Sequence, residues 1–467
     1  MLDLVVSLVV LVLAGGAAVV VIQRYPPTEV PYLMGSLVAH VLSACALVLL
    51  YTVYYDGGDI TGYHRNGSYI VDLARLDPER LWPAVFRMLF QRPDTVIAAG
   101  QSSTGTMTAL STLLMFGLAK SLWGACILVA IASFGGKFLI FESLAASLPA
   151  RYRQRTLVAC LWMPSVVFWS SGLVKEAFAI IGVGIVCAGM ARALKNRVFG
   201  LTIMGLGMYL IALIKPYILF PAVISCSVWY YWSRTTSRKH GVGSRSTYLF
   251  VGLLVALGAY TVIAQFFPGF SIAMFGESAA IQREASLTAE GGSNFVIGDT
   301  TDRSLTGQMV YAPLALVTTL FRPTIFEVRN PLMLVSALET TFLTVLTLRS
   351  IWTRSPGVML RTVLKEPVVL FAFTFAILMA IGVGLGTTNF GTLSRYRIPL
   401  MPFFALCVFV WAAPAVKEAG ERVTNTTRVG PTPPLVGRAA RLARLGRTRR
   451  DAPSDGGEDT TIAPVAS

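Results

Sequence analysis

The chain has 467 residues, of which 54% are hydrophobic and 13% charged, a balance that excludes an ordinary soluble domain and fits a chain that uses lipid as its solvent. Its formal charge of +15 is carried by short clusters between apolar runs and by the C-terminal segment, so it reads as topology information and gives no ground for a nucleic-acid partner. The six cysteines fall inside apolar runs without CxxC spacing, which excludes a disulfide framework and a zinc knuckle.

Apolar runs near the ~17–25 residues that span a bilayer occur around 4–22, 33–53, 103–149, 156–172, 176–191, 199–214, 217–232, 247–267, 332–350, 367–385 and 398–415. The expected architecture is an all-α polytopic membrane protein with about 10–13 transmembrane helices. Residues 1–415 form the membrane domain, and 416–467, rich in Pro, Gly, Thr and Arg, form a basic disordered tail on the cytoplasmic side. The first run lacks a basic flank and is read as a retained helix, not a cleaved signal.

After the second run comes "YYDGGDITGYHRNG", Tyr54 to Gly67, which gathers Asp56, Asp59, His64 and Arg65 at the mouth of an apolar segment. Its paired glycines permit a sharp turn or a close backbone approach. The two aspartates could be a catalytic pair, with His64 as a competing base, or could serve a turn or a helix N-cap. They could hold Mg²⁺ or Mn²⁺, although two ligands make only part of such a shell. Asn66-Gly67 suggests a turn. Beyond it, Tyr69, Ile70, Leu73 and Leu76 share one helical face, as do Leu81, Trp82, Val85, Phe86 and Leu89, so two amphipathic helices are expected along the membrane surface.

Within the following apolar run, Lys137 and Glu142 could neutralise one another or, with Glu339, mark an ion path. His40 is read as a packed histidine. "PSVVFWSSGLVKE" brings Lys175 and Glu176 to the end of a proline-broken helix, where they could form a hinge or a site. "IKPY" adds Lys215. "LFRPTIFEVRNP" adds Arg322, Glu327 and Arg329 in an irregular, proline-bounded segment, tolerated at membrane depth only against protein or a watery cavity. "SRYRIP" adds Arg395 and Arg397, which could snorkel from a helix end or clamp a phosphate.

The basic clusters Arg151/Arg153/Arg155, Arg192/Lys195/Arg197, Arg234/Arg238/Lys239/Arg245 and Arg349/Arg354/Arg361/Lys365 orient the later segments with one face cytoplasmic. That leaves Lys175, Glu176, Lys215, Arg395 and Arg397 outside, together with the acidic loop after Phe267. The side of Asp56 and Asp59 stays open, because 103–149 could cross once, twice or three times and only an odd number puts them outside. Arg24 in the first short loop leans towards an external DGGD.

The acidic loop with its amphipathic helices, "PSVVFWSSGLVKE", "FRPTIFEVRNP" and the closing "RYRIPLMPF" together resemble bacterial type C (GT-C) membrane glycosyltransferases of the protein O-mannosyltransferase and polyprenyl-phosphate-sugar transferase kind, over about residues 33–415. The resemblance implies a multi-pass plasma (inner) membrane enzyme that moves a sugar from a polyprenyl-phosphate-linked donor to an envelope glycan, lipid or protein acceptor at the external face. It implies Asp59 or Asp56 as the base and the basic residues near the later helices as phosphate ligands. A polysaccharide polymerase is the near alternative. A transporter or flippase of a lipid-linked or small polar substrate is the distant one, and it would need its charges near the midplane.

Overall fold

The computed structural model describes residues 1–97, 102–237, 258, 294–295, 297 and 305–413, all within the unit Met1–Ala413. The apolar run 247–267 apart from Gly258, most of the acidic loop after Phe267, and the basic tail lie outside the described residues.

Among the described residues the secondary structure is helical, apart from one isolated antiparallel bridge between Asn294 and Asn389. The chain begins with α1 (Leu2–Ile22) and α2 (Val30–Tyr54), each of which ends or is interrupted by a π-helical turn. Then follow α3 (Asp59–Leu76), α4 (Pro78–Leu89), α5 (Ser103–Gly117), α6 (Leu122–Ala145), the short pair α7 (Arg153–Leu161) and α8 (Pro164–Trp169), α9 (Lys175–Ala193), α10 (Arg197–Ile214) and α11 (Leu219–Ser237). The later described part comprises α12 (Leu305–Met309), α13 (Ala312–Phe321), α14 (Pro331–Lys365), α15 (Pro367–Gly386), α16 (Phe390–Tyr396) and α17 (Met401–Trp411). Helix α14 breaks at Ser355, whose φ of 56° precedes Pro356.

Seven of these helices are long and apolar enough to cross a membrane, or eight if α16 and α17, bent by 79°, count as one span. The chain is thus a polytopic, multi-pass membrane protein. The expected 10–13 spans are not reached among the described residues, in part for two physical reasons. Within 103–149 only α6 has a spanning length and composition, whereas α5 lies against α3. The 156–172 run is broken before Pro164, which cannot continue a helix.

Hydroxyl, amide and carboxylate side chains start many of the helices. Asp77, Ser102, Ser121, Asn196, Asn330 and Asn389 each accept from a backbone N–H in the first turn of the helix that follows. The bundle centre is held by close backbone contact, most intimately between α9 and α10 and between α9 and α6. A Cβ on Gly184 would sit 2.2 Å from the carbonyl oxygen of Gly136, so only glycine lets α6 and α9 approach this far.

Asn66-Gly67 is not a turn: α3 runs through it. Gly67 is there because α5 crosses at this point, and an added Cβ would meet Ser111 Oγ at 2.6 Å. The Ser111 hydroxyl donates to the Tyr63 carbonyl at 2.7 Å and fastens the crossing. The faces of α3 and α4 are also rotated from the expected ones. Ile60, Tyr63, Gly67, Ile70, Val71 and Ala74 are buried on α3, and Leu81, Ala84, Val85 and Met88 on α4. Tyr69, Leu76 and Phe86 are exposed. Both helices are amphipathic, and their apolar faces pack against α5 and each other.

At one end of the bundle Arg153 forms a double hydrogen bond with Glu29, at 2.5 and 2.9 Å, and reaches Glu142 at 2.8 Å. Arg197 and Arg234 share the Tyr230 ring, and Arg234 donates to the Leu194 carbonyl. Glu142 therefore pairs with Arg153 and not with Lys137. Lys137 instead meets His40, Nζ to Nε2 at 2.6 Å, with both side chains fully buried. His40 Nδ1 donates to the Ser36 carbonyl at 2.6 Å, which leaves Nε2 as the acceptor for the lysine.

Candidate functional site

The other end of the bundle collects the charges that the sequence scatters over more than 300 positions. It starts at the DGGD turn. Asp56, Gly57 and Gly58 have φ of 46°, 155° and 119°, a run of left-handed backbone that glycine makes accessible. A Cβ on Gly58 would lie 2.6 Å from the Tyr51 ring, so the turn folds back on the end of α2. It delivers Asp59 as the first residue of α3, where the helix N-terminus favours a carboxylate.

Asp59 Oδ2 accepts from Arg395 Nη2. The same guanidinium nitrogen lies 3.4 Å from Glu176 Oε2, whose other oxygen accepts from Lys215 Nζ at 2.8 Å. The pair Glu176–Lys215 is 1% and 4% exposed, whereas Asp59 is 45% exposed and Arg395 25%. The chain of charges therefore runs from a dry interior to an open surface. Lys215 also stands 4.4 Å from the Tyr396 ring centroid and 5.8 Å from that of Tyr217, a cation–π environment that replaces part of its lost hydration. Lys175, at the start of α9, donates to the hydroxyls of Ser103 and Thr104, both at 2.9 Å, with the charges of Asp59, Glu176, Lys215 and Arg395 around it. Tyr63, one turn into α3, is buried beside Asp59. Burial first, and then the carboxylates of Asp59 and Glu176, push its phenol up, so it stays neutral.

Arg395 also lines a cleft of about 250 Å³. Tyr51, Tyr55, Trp169 and Phe390 give it aromatic walls, and Asn330, Ser336, Asn389, Thr392 and Ser394 give it polar ones; Arg395 is the ionisable side chain with a permanent charge among its lining. Some of that polarity is already engaged: Asn330 and Asn389 each accept from the first turn of a helix, and Asn389 donates to Asn294 at 2.8 Å.

Neither a family model, nor a curated protein, nor a solved structure matches this chain.

The structure brings Asp59, Lys175, Glu176, Lys215 and Arg395 together. It places the other candidates elsewhere. Asp56 and Arg65 are exposed, and among the described residues no hydrogen bond or ion pair joins either of them to another side chain. His64 donates from Nε2 to the Lys120 carbonyl at 2.9 Å, and Lys120 in turn pairs with Asp72, so His64 ties α3 to the α5–α6 connection. Arg322 and Glu327 form a closed pair, Nε to Oε1 at 2.7 Å, with Arg322 stacked over Phe390 and Phe295 at 5.0 and 5.5 Å. Burial raises the Glu327 carboxyl, but the Arg322 hydrogen bond and two donors from Thr324 outweigh it and hold it below the usual range. Arg329 is exposed beside them.

Arg397 is fully buried and does not join Arg395 in a clamp. Its Nη1 donates to the Arg322 carbonyl at 2.7 Å and lies 3.4 Å from that of Thr319, so it closes the carboxy end of α13. Glu339, a buried carboxylate, accepts from Ser165 N–H and Oγ–H at 2.8 and 2.6 Å. Among the described residues no three His, Cys, Asp or Glu side chains converge as a metal site, and the Asp59 carboxylate faces Arg395. The aromatic and amide lining of the cleft was not anticipated from sequence; the i, i+4 pair Tyr51 and Tyr55 before the glycines, and Asn389 before α16, are the signals that could have found it.

Proposed function

We propose that this protein is a membrane glycosyltransferase of GT-C type, which moves a sugar from a polyprenyl-phosphate-linked donor to a hydroxyl acceptor at the external face of the plasma membrane. One observation carries the reading: Arg395 is at once a wall of an aromatic, amide-lined cleft and the partner of the Asp59 carboxylate. Aromatic faces with hydroxyl and amide groups suit a sugar ring, and a guanidinium suits a phosphate. The basic residues Arg153, Arg192, Arg197 and Arg234 gather at the opposite end from Asp59, which by the positive-inside rule supports an external site.

In this reading Asp59 takes the proton of the acceptor hydroxyl as its oxygen bonds to the anomeric carbon. The bond from that carbon to the phosphate oxygen breaks, and polyprenyl phosphate leaves with the electron pair. Arg395 and Lys175 stabilise the charge of the departing phosphate. Asp56, without a cationic partner among the described residues, contributes less.

The test is transfer by the purified protein in lipid nanodiscs, using labelled polyprenyl-phosphate hexoses and pentoses and a membrane extract as acceptor. Asp59→Asn is expected to lower the rate about 10²- to 10⁴-fold with an unchanged melting temperature, and Asp56→Asn to lower it less. Near wild-type transfer by Asp59→Asn would remove the carboxylate from the mechanism. A second reading, a transporter, is favoured by the buried Lys137–His40 pair between α2 and α6. Uptake of the labelled sugar-lipid across proteoliposomes without any transfer product would decide for it.

A further inference from the structure

We propose that Asp59 is held inactive by Arg395 until donor phosphate displaces it, so that the donor itself releases the general base. This rests on the glycosyl-transfer reading and adds an order of events to it. The structure places three cations, Lys175, Lys215 and Arg395, against two carboxylates, Asp59 and Glu176. They are not equally engaged. Lys215 and Glu176 neutralise each other in the dry interior at 2.8 Å. Lys175 has only hydroxyl partners, Ser103 and Thr104, among the described residues. The cluster therefore carries one positive charge in excess, at the end that opens to the surface, and is short of one anion.

Arg395 is the member that can move between partners. Its Nη2 bonds to Asp59 and stands at 3.4 Å from Glu176, a long contact that works as an electrostatic tether and not as a good hydrogen bond. The Asp59 bond is on the exposed side and the Glu176 contact on the buried side. An incoming phosphate thus approaches Arg395 from the side where Asp59 is bound. A guanidinium offers a planar fork that a phosphate oxygen pair fills better than a single carboxylate oxygen. With Glu176 retaining the arginine at the cleft, the bond exchanged is the one to Asp59.

While Arg395 occupies Asp59 Oδ2, that oxygen cannot take the proton of an acceptor hydroxyl. Displacement of the guanidinium frees it. The arrangement makes catalysis conditional on a donor already being seated, and an acceptor or water that arrives first meets a masked Asp59. Glu176 is then a positioning residue, since it holds Arg395 within reach of both partners without meeting substrate.

The measurement is binding of undecaprenyl phosphate to the purified protein in detergent, with undecaprenol as the same chain without phosphate, read by the change in intrinsic Trp fluorescence and checked by native mass spectrometry. If Asp59 competes for Arg395, Asp59→Asn binds undecaprenyl phosphate about two- to fivefold more tightly than wild type, the worth of a part-exposed ion pair, and binds undecaprenol no differently. Simple removal of a nearby negative charge would also favour an anion, so the deciding comparison is made in an Arg395→Gln background. Competition predicts that the gain from Asp59→Asn vanishes there, whereas a field effect persists. Arg395→Met, which also removes the cation and keeps the Glu176–Lys215 core, serves the same comparison if Arg395→Gln does not fold. A gain of equal size in both backgrounds, or none in wild type, overturns the masking proposal and leaves the transfer reading standing. Undecaprenyl phosphate binding no tighter than undecaprenol in wild type and in Asp59→Asn overturns the transfer reading as well.

Discussion

The pair Glu176–Lys215 offers the sharpest perturbation of the site's framework. Its two side chains are 1% and 4% exposed, and their charged atoms are 2.8 Å apart. Glu176→Gln removes the carboxylate with little change in shape, and leaves Lys215 buried against the Tyr396 and Tyr217 rings and Arg395 without its inner tether. Removing one partner of a buried ion pair costs about 3–5 kcal/mol, chiefly because the survivor is an uncompensated charge in a dry site. Scaling the unfolding entropy of globular chains to the unit Met1–Ala413 converts this to a fall in melting temperature of roughly 3–6 °C. Lys215→Met should cost as much, since Glu176 then keeps only the 3.4 Å contact to Arg395. The double variant, with no charge left unpaired, should cost less than the sum by about 1–3 kcal/mol. Thermal unfolding in one detergent, followed by near-ultraviolet circular dichroism, measures all four proteins. Single variants within 1 °C of wild type, or a strictly additive double, would show that the pair is hydrated or mobile and would refute its role as the fixed point of the cluster.

Two other outcomes test the architecture. Gly184→Ala should lower folded yield and cost about 1–3 kcal/mol or more, because its Cβ would lie 2.2 Å from the Gly136 carbonyl oxygen, while Gly135→Ala, whose Cβ meets nothing within 4 Å, should be neutral; equal behaviour of the two in a thermal-shift assay would disprove the close α6–α9 contact. Cysteine at exposed Asn66 should react with an impermeant thiol reagent in intact cells, and cysteine at exposed Lys195 only after permeabilisation; matching accessibility would contradict an external Asp59.

How far the sequence could be read depended on what kind of information each feature carries. Membrane class follows from composition, which sums over the chain and needs no geometry. The candidates for the charge cluster were also legible: Asp59, Lys175, Glu176, Lys215 and Arg395 were all among the twelve ionisable residues singled out near the ends of apolar runs, where charge is costly and so is kept for a reason, but nothing in the sequence set these five apart from the other seven. Their pairing was not legible. Lys137 and Glu142 are five positions apart on α6, so they point in different directions on a helix that advances about 100° per residue, and each found a partner on another helix, His40 and Arg153. The same geometry separates Arg395 from Arg397. Two steps along a helix turn a side chain by about 200°, so residues that look like a double clamp in sequence face opposite ways. Asn66-Gly67 misled for a different reason, since a glycine required by a helix crossing and one required by a turn look identical until the crossing partner, Ser111, is known.

That opposition at Arg395 and Arg397 is what makes the segment useful. Between α16 and α17 the chain bends by 79°, and three successive side chains fasten the bend in three directions. Arg395 reaches outward to Asp59 and the cleft. The Tyr396 ring lies against Lys215 and Tyr217. Arg397 turns inward and closes the carboxy end of α13, whose unpaired carbonyls carry the negative end of the helix dipole. A guanidinium on a mobile loop would reorganise with each ligand, and that reorganisation would cancel much of the electrostatic work it could do on a departing phosphate. Here the backbone under Arg395 is pinned by a buried arginine and an aromatic stack, while the side chain itself lies between Asp59 and the tether at Glu176. On the masking proposal the site has a rigid base with one movable cation, and the buried Arg397 helps to set the position from which that cation acts.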